Sequence, residues 1–191
     1  MLNQSNILKN NMNFKEKFVE RKVLAKGCIL DFVMDTVLLP NKKLAKREFT
    51  LNPKAVAVLP LIDSKHIVMV KQFRYPLNRV TYEIPAGKVD KGENNLNCVK
   101  RELAEEAGFK ASKIRKLLHY FPTPAFSTED LAIYIATGLK PVDSNPDDDE
   151  FIERVILPLD KVLHWIKINK ICDSKTLIAL LYYSFFKNQI K

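Results

Sequence analysis

The sequence has little cysteine and no long hydrophobic run. Its three cysteines, Cys28, Cys98 and Cys172, form no CxxC pair, so the spacing of a zinc or redox motif is missing. An odd number of scattered cysteines also argues against a disulfide framework, and we expect all three side chains to be reduced and buried. The longest mainly apolar run, residues 177–186, is too short for a bilayer span, which takes about 20 residues.

The N-terminal residues carry no recognisable targeting segment. Residues 1–18 contain no apolar stretch of signal-peptide length. Together with the reduced cysteines, this predicts a cytoplasmic protein without a membrane partner.

Positive charge is in excess but is not concentrated. Lysine and arginine number 31 against 22 aspartates and glutamates, which gives a net charge of +9. The lysines are scattered along the chain, so we expect the excess to favour solubility and to attract anionic substrates. No aromatic RNA-binding motif accompanies it. The sequence therefore predicts no nucleic-acid partner.

The apolar residues that are present predict a globular α+β protein. They make up 47% of 191 residues, enough to bury a sizeable core. Residues 1–52 are predicted to form an N-terminal β arm, and residues 53–191 the main domain. Predicted strands are 18–39, 46–51, 55–62, 66–73, 80–84, 114–121, 131–137 and 151–157, and predicted helices are 95–107, 159–169 and 174–188. This order favours a sandwich with a mixed sheet, preceded by a small antiparallel sheet.

The most informative segment is GKVDKGENNLNCVKRELAEEAGF, residues 87–109. In a helix over 95–107, Glu102, Glu105 and Glu106 stand at i, i+3 and i+4 and share one face. Leu96, Val99, Leu103 and Ala107 form a separate apolar stripe. Three neighbouring carboxylates repel one another unless something positive lies between them. Oxygen ligands without histidine or cysteine favour Mg²⁺ or Mn²⁺, which also bind substrate phosphates.

This segment resembles the Nudix box, G-x5-E-x7-R-E-U-x-E-E-x-G-U, at every specified position. The resemblance implies a Nudix hydrolase, an α/β/α sandwich that cleaves a nucleoside diphosphate linked to another group. It implies that Glu102, Glu105 and Glu106 bind the metal, with Glu106 counted as catalytic, and that the carbonyl of Ala86 is a further ligand. The same resemblance implies structural roles for Gly87, Glu93, Arg101 and Gly108.

Three further stretches, 72–93, 121–129 and 147–159, are similar to ADP-ribose pyrophosphatases, although Ala125 stands where those relatives usually have glycine. The resemblance implies hydrolysis of ADP-ribose to AMP and ribose 5-phosphate. A nucleotide sugar such as GDP-mannose, or a dinucleotide, is the alternative substrate. A non-catalytic module that senses ADP-ribose is disfavoured, because such modules commonly lose box carboxylates and all four are present.

The same resemblance implies roles for residues outside the box. Arg74 and Arg47 match positions that hold the diphosphate, and a guanidinium suits phosphate. Glu83 is expected to add an outer-sphere metal contact and Glu129 a contact to a substrate hydroxyl. Glu150 is the expected catalytic base, with Asp148, Asp149 and Glu153 as alternatives.

Two expectations stay general at this stage. The resemblance implies a homodimer in which the arm of one subunit helps to build the site of the other. Base stacking is open among five aromatic residues: Phe14, Phe18, Phe32, Phe49 and Tyr82.

Overall fold

A computed structural model describes residues 13–143 and 151–190 of the chain. The chain divides into two compact units, Met1–Asn52 with Ala125–Thr128 and Pro53–Pro124 with Glu129–Lys191. The predicted arm thus lies in the first unit, which also takes in a short segment from the middle of the chain. Within the described ranges, no helix is both long and apolar enough to cross a bilayer.

The first unit is a three-stranded antiparallel sheet. Its strands β1 (Lys17–Lys26), β2 (Asp31–Leu38) and β3 (Leu44–Leu51) follow one another in the sheet. The central strand β2 carries the buried positions, whereas β1 is exposed at every residue. Cys28 is exposed in the turn between β1 and β2. Its predicted burial is therefore wrong, because the turn projects from a sheet whose edge strand is itself exposed.

A mixed four-stranded sheet forms the centre of the second unit. Its order is β7 (Ala86–Lys88), β4 (Ala55–Pro60), β9 (Leu131–Pro141) and β8 (Phe109–Tyr120). Strands β4 and β9 are parallel, and the other two pairings are antiparallel. Every residue of β4 is buried, as expected for a strand covered on both faces.

A second sheet of this unit has the order β10 (Ile152–Pro158), β5 (His66–Arg74) and β6 (Arg79–Glu83). Both pairings are antiparallel. A 3-10 turn, Tyr75–Leu77, joins β5 to β6 and ends at Asn78, whose φ is 48°. Arg74 pairs with Arg79 beside this turn, whereas Glu83 pairs with Val70 at the other end of the hairpin.

Among the described residues of the second unit, three helices pack against its sheets: α1 (Asn95–Glu105), α2 (Leu159–Lys167) and α3 (Ser174–Phe186). Alternate side chains of β4 belong to different cores, since Val56 and Val58 pack with Leu103 of α1, while Ala57 and Leu59 belong to the cluster that contains Leu180 of α3. This period of two separates the layers and confirms the predicted α+β sandwich. Leu96 lies in the first turn of α1 and is 41% exposed, so its place in the packed stripe was wrongly predicted.

Candidate active site

The loop before α1 is attached to the central sheet. Ala86 and Gly87 pair with Ala57 and Val56 of β4, and the Val58 amide donates to the Pro85 carbonyl at 2.9 Å. The chain then turns through Gly92, whose φ of 87° suits glycine. Asn94 caps α1 by accepting a hydrogen bond from the Asn97 amide at 2.9 Å. The buried strand therefore sets where the acidic helix begins.

Gly87 makes room for the carboxylate of Glu102. A Cβ at this position would lie 1.8 Å from Oε1 and 2.6 Å from Oε2 of Glu102. Any side chain would occupy the volume that the carboxylate now fills. The predicted structural role of Gly87 thus has a steric basis, which is the close approach of a helix carboxylate to the loop backbone.

Glu106 is joined to the same loop. It follows the last residue of α1, is buried, and its Oε2 accepts a hydrogen bond from the Ala86 amide at 2.9 Å. Gly108 follows with φ 67°, and a Cβ there would lie 2.3 Å from Nη1 of Arg154. That Arg154 nitrogen donates to the Ala107 carbonyl at 3.1 Å, which places a cation at the negative end of α1.

Arg101 links the carboxylates to one another. Its guanidinium donates to both oxygens of Glu93, at 3.2 and 3.1 Å, and to the carbonyl of Lys88 at 3.1 Å. Its Nη1 also donates to Glu102 at 2.7 Å and to Glu105 at 3.1 Å. The hydrogen bonds to Glu93 are the main reason why the pKa of Arg101 is raised, and they lower the pKa of Glu93. Arg101 therefore places positive charge between Glu102 and Glu105.

Within 13–143 and 151–190, no group of three or more histidine, cysteine, aspartate or glutamate side chains is arranged to hold a metal ion. The donor set nevertheless has the chemistry of a hard-cation site, because Glu102, Glu105 and Glu106 supply only oxygens. The space left by Gly87 also admits a carboxylate beside the Ala86 backbone. The residues thus fit a divalent cation, because their ligand atoms are oxygens and the loop leaves space for a carboxylate at Gly87.

A cleft of about 500 Å³ opens beside this cluster. Its lining includes Gln72, Arg74, Ala86, Gly87, Glu105 and Glu106. Arg74 is held by Glu83 through two hydrogen bonds, from Nε at 2.8 Å and from Nη2 at 2.7 Å. The cleft therefore combines a carboxylate cluster with a fixed cation, the complement of a metal-bound diphosphate.

Comparison with known proteins agrees with this geometry. Residues 51–177, about two thirds of the chain, match the family described as the NUDIX domain. The chain belongs to the Nudix family. The Nudix box is the segment 87–109 described above, and the resemblance recognised in the sequence is confirmed.

Individual relatives cover most of the chain. A protein named ADP-ribose pyrophosphatase from Bacillus subtilis (strain 168) is 37% identical over 89% of this chain and 93% of its own length. A protein named methanol dehydrogenase activator from Bacillus methanolicus is 39% identical over 88% and 92%. A solved structure described as an ADP compounds hydrolase superimposes with a TM-score of 0.82 at 20% identity, covering 93% and 98% of the two chains. It shares the Nudix fold.

The other residues predicted to bind substrate or to act as the base do not all lie among the described residues. Arg47 belongs to the first unit, where it is paired with Glu16, and Glu129 is half-buried just before β9. Glu153 is on β10, 2.6 Å from Nζ of Lys71. The expected base Glu150, with Asp148 and Asp149, lies outside the described residues. Their roles remain predictions.

Of the five aromatic candidates for base stacking, only Tyr82 lies in the second unit. Its ring packs on Trp165 with centroids 4.8 Å apart. Phe14, Phe18, Phe32 and Phe49 lie in the first unit.

Sequence reasoning missed the partners of Glu83. The carboxylate is 2% exposed and accepts hydrogen bonds from Thr81 and Lys175 as well as from Arg74. Burial acts to raise its pKa, but the bonds from Arg74 and the charge of Lys175 outweigh burial and lower the pKa to about 2. A lysine 92 residues away in sequence carries no local signal of this contact. The nearest hint is that Lys175 is the single charged residue of α3.

Proposed function

We propose that this Nudix protein hydrolyses ADP-ribose to AMP and ribose 5-phosphate, with Mg²⁺ or Mn²⁺ as its cation. The observation that carries the proposal is the placement of Glu102 against Gly87 and of Glu106 against the Ala86 amide, beside a cleft that is also lined by Glu105 and Arg74. The relative named ADP-ribose pyrophosphatase, at 37% identity over nearly the full length, supports the choice of substrate.

The chain's own residues have separate tasks in this proposal. Glu102, Glu105, Glu106 and the Ala86 carbonyl would hold the cation, which when bound supplies neutralising charge and a more acidic water. The Nε and Nη2 atoms of Arg74 are engaged by Glu83. Its Nη1 makes no hydrogen bond to any described residue, so its hydrogens are available to a phosphate oxygen.

Water attacks one phosphorus of the diphosphate, the bridging P–O bond breaks, and the proton of the water passes to a carboxylate. Glu150 is the proposed acceptor, with Asp148 and Asp149 as alternatives. Glu153 is the weaker alternative, because Lys71 already occupies its carboxylate. Arg47 is proposed to contact the diphosphate and Glu129 a substrate hydroxyl. Glu83 is proposed to add an outer-sphere metal contact and also to hold Arg74 in place through two hydrogen bonds.

Homodimerisation through the arm, residues 1–52, belongs to the same proposal. In support, the first unit exposes large apolar side chains, among them Phe14 at 78% and Phe18 at 63%, and its edge strand β1 is exposed throughout. Exposed apolar strands at a sheet edge favour pairing with another chain. Sedimentation velocity is expected to give twice the 22.0 kDa chain mass. A species with the mass of one chain at micromolar protein concentration would contradict the dimer.

The deciding experiment is a substrate panel. ADP-ribose, GDP-mannose and a dinucleotide are each incubated with the protein and Mg²⁺ or Mn²⁺, and the nucleoside monophosphate products are separated by chromatography. We expect AMP and ribose 5-phosphate from ADP-ribose. Rapid cleavage of GDP-mannose with inert ADP-ribose would establish the nucleotide-sugar alternative, and binding of ADP-ribose without products would establish the sensor.

The cytoplasmic location, proposed on the three unpaired cysteines, is tested by cell fractionation.

A further inference from the structure

A partly buried ionic network lies beside the cleft, where β5, β6 and α3 meet. Its members are Arg74, Glu83, Asp173 and Lys175, two cations and two carboxylates. The four formal charges cancel, which lowers the free-energy cost of keeping them out of water. Thr81 adds a hydrogen bond of 2.6 Å to Oε1 of Glu83. Each oxygen of Glu83 thus accepts two hydrogen bonds, and the orientation of the carboxylate is fully determined.

Lys175 is the member that joins the two carboxylates. Its ammonium donates to Oε2 of Glu83 and, at 3.0 Å, to Oδ1 of Asp173. Its side chain is 11% exposed. Burial acts to lower the pKa of Lys175, but the charges of Asp173 and Glu83 outweigh burial and raise the pKa. The lysine therefore remains charged and contacts both acids, so that Lys175 and Arg74 together balance Glu83 and Asp173.

The backbone holds Lys175 in this place. Asp173 caps α3 by accepting a hydrogen bond from the Thr176 amide at 3.0 Å. The Thr176 hydroxyl accepts one from the Ile84 amide at 2.9 Å, directly after Glu83. The first turn of α3 is thereby bound to the end of β6, so the ammonium has little freedom to leave the carboxylate.

Arg74 is the member that reaches the cleft. Glu83 raises the pKa of Arg74 chiefly through its hydrogen bonds, and the charges of Asp173 and Glu106 raise it further. Arg74 thus experiences the negative charges of three carboxylates, Glu83, Asp173 and Glu106. Without Lys175, Asp173 would be uncompensated and would attract the guanidinium away from the cleft.

We infer that Lys175 is a positioning residue for the Nudix reaction: it fixes Glu83 and neutralises Asp173, and so keeps Arg74 aimed at the substrate diphosphate. The inference rests on the proposed function for the identity of the substrate only. The contact network itself is independent of which nucleoside diphosphate is cleaved.

The first test is a double-mutant cycle on kcat/KM with Lys175→Met and Arg74→Ala. We expect Lys175→Met to lower kcat/KM roughly tenfold, mainly by raising KM, since a displaced guanidinium weakens phosphate binding. In the Arg74→Ala background the same substitution is expected to have no further effect, because its target is gone. An equal loss in both backgrounds would show a merely structural lysine and would overturn the inference.

Lys170→Met is the matched control for loss of charge. The Lys170 ammonium lies 5.1 Å from the ring centroid of Tyr82, the neighbour of Glu83 on β6, and 3.7 Å from that of Trp165. The substitution Lys170→Met removes one cation from the same region and leaves the network of Arg74, Glu83, Asp173 and Lys175 intact. Its kcat/KM is expected to equal that of the parent chain; a loss as large as that of Lys175→Met would assign the effect to net charge.

The second test does not depend on turnover. The Nε–H of Arg74, bonded to Glu83 at 2.8 Å, is expected to give a sharp side-chain signal in a ¹⁵N NMR spectrum. The signal is assigned by its loss in Arg74→Ala, and it should broaden in Lys175→Met but not in Lys170→Met. An unchanged signal in Lys175→Met would overturn the inference. If the parent chain cleaves no substrate in the panel, the proposed function fails. The NMR measurement still shows whether Lys175 holds Arg74 in place.

A further variant covers the case in which Lys175→Met does not fold. Glu83→Gln with Lys175→Met removes one charge of each sign and leaves no excess buried charge in the network. We expect this pair to fold and to show the same broadened Arg74 signal, because the charged acceptor and its anchor are both lost. A sharp signal would contradict the network as described.

Discussion

Replacement of Gly87 by alanine tests whether the Glu102 carboxylate lies against the loop. The new methyl group would lie 1.8 Å from Oε1 and 2.1 Å from Cδ of Glu102, whereas ordinary contact begins at 3.4 Å. Gly87 is not among the glycines with positive φ, so alanine suits its backbone. The collision with the carboxylate is therefore the whole perturbation.

The size of the effect follows from what the carboxylate must give up. To retreat from the methyl group, Glu102 has to move away from Nη1 of Arg101, now at 2.7 Å. Loss of a hydrogen bond that orients a metal-binding side chain typically lowers metal affinity by about tenfold to a hundredfold. We expect the affinity for Mn²⁺ to fall by about tenfold to a hundredfold, and kcat/KM for ADP-ribose to fall with it.

The assay is direct titration of Mn²⁺, with the free ion counted by electron paramagnetic resonance, followed by turnover at each metal concentration. Gly92→Ala is the control, because Gly92 has φ 87° and nothing within 4 Å of its would-be Cβ. That variant is expected to lose about 1 kcal/mol of stability through backbone strain and to keep its metal affinity. Wild-type Mn²⁺ affinity and turnover in Gly87→Ala would refute the placement of Glu102 in the metal site.

Three further substitutions test other parts of the site. Glu106→Gln should lower turnover by about a hundredfold or more with an unchanged circular dichroism spectrum, because the amide oxygen still accepts from Ala86; near-normal turnover would remove Glu106 from the metal shell. The pKa of Glu83 is lowered from 4.5 to about 2, so the ionised carboxylate adds about 3 kcal/mol to the free energy of unfolding above pH 4.5. This contribution is lost as the pH falls through 2. Urea unfolding between pH 5 and 2 should show a flatter profile for Glu83→Gln, and parallel profiles would contradict the lowered pKa. Arg101→Lys should reduce the free energy of unfolding by about 1–3 kcal/mol, since one ammonium cannot bond Glu93, Glu102 and Glu105 together; an unchanged urea midpoint would argue against this network.

Local features of the site were predictable because their geometry is local. The i, i+3, i+4 spacing of Glu102, Glu105 and Glu106 is a property of any helix, and α1 forms over nearly the predicted residues. The contact between Glu93 and Arg101 spans only eight residues, within reach of a loop and the two helical turns that follow it. The strands of the main domain were likewise visible in their alternation and apolar density.

Contacts between distant segments had no such signal. The parallel pairing of β4 with β9 joins Ala55 to Leu131, and the sequence of neither strand predicts which strand it pairs with. The Cys28 turn and the first turn of α1 were misjudged because the burial of a turn depends on what covers it.

The sequence alone determined the chemistry of this protein: which carboxylates, which guanidinium, and which glycines stand at the spacing of a diphosphate-cleaving loop and helix. Only the tertiary structure decided that Lys175 meets Glu83 across 92 residues and that Arg74 is held toward the cleft. Spacing along one helix follows from its repeat, whereas a buried ion pair between a strand and a distant helix exists only after the core has packed.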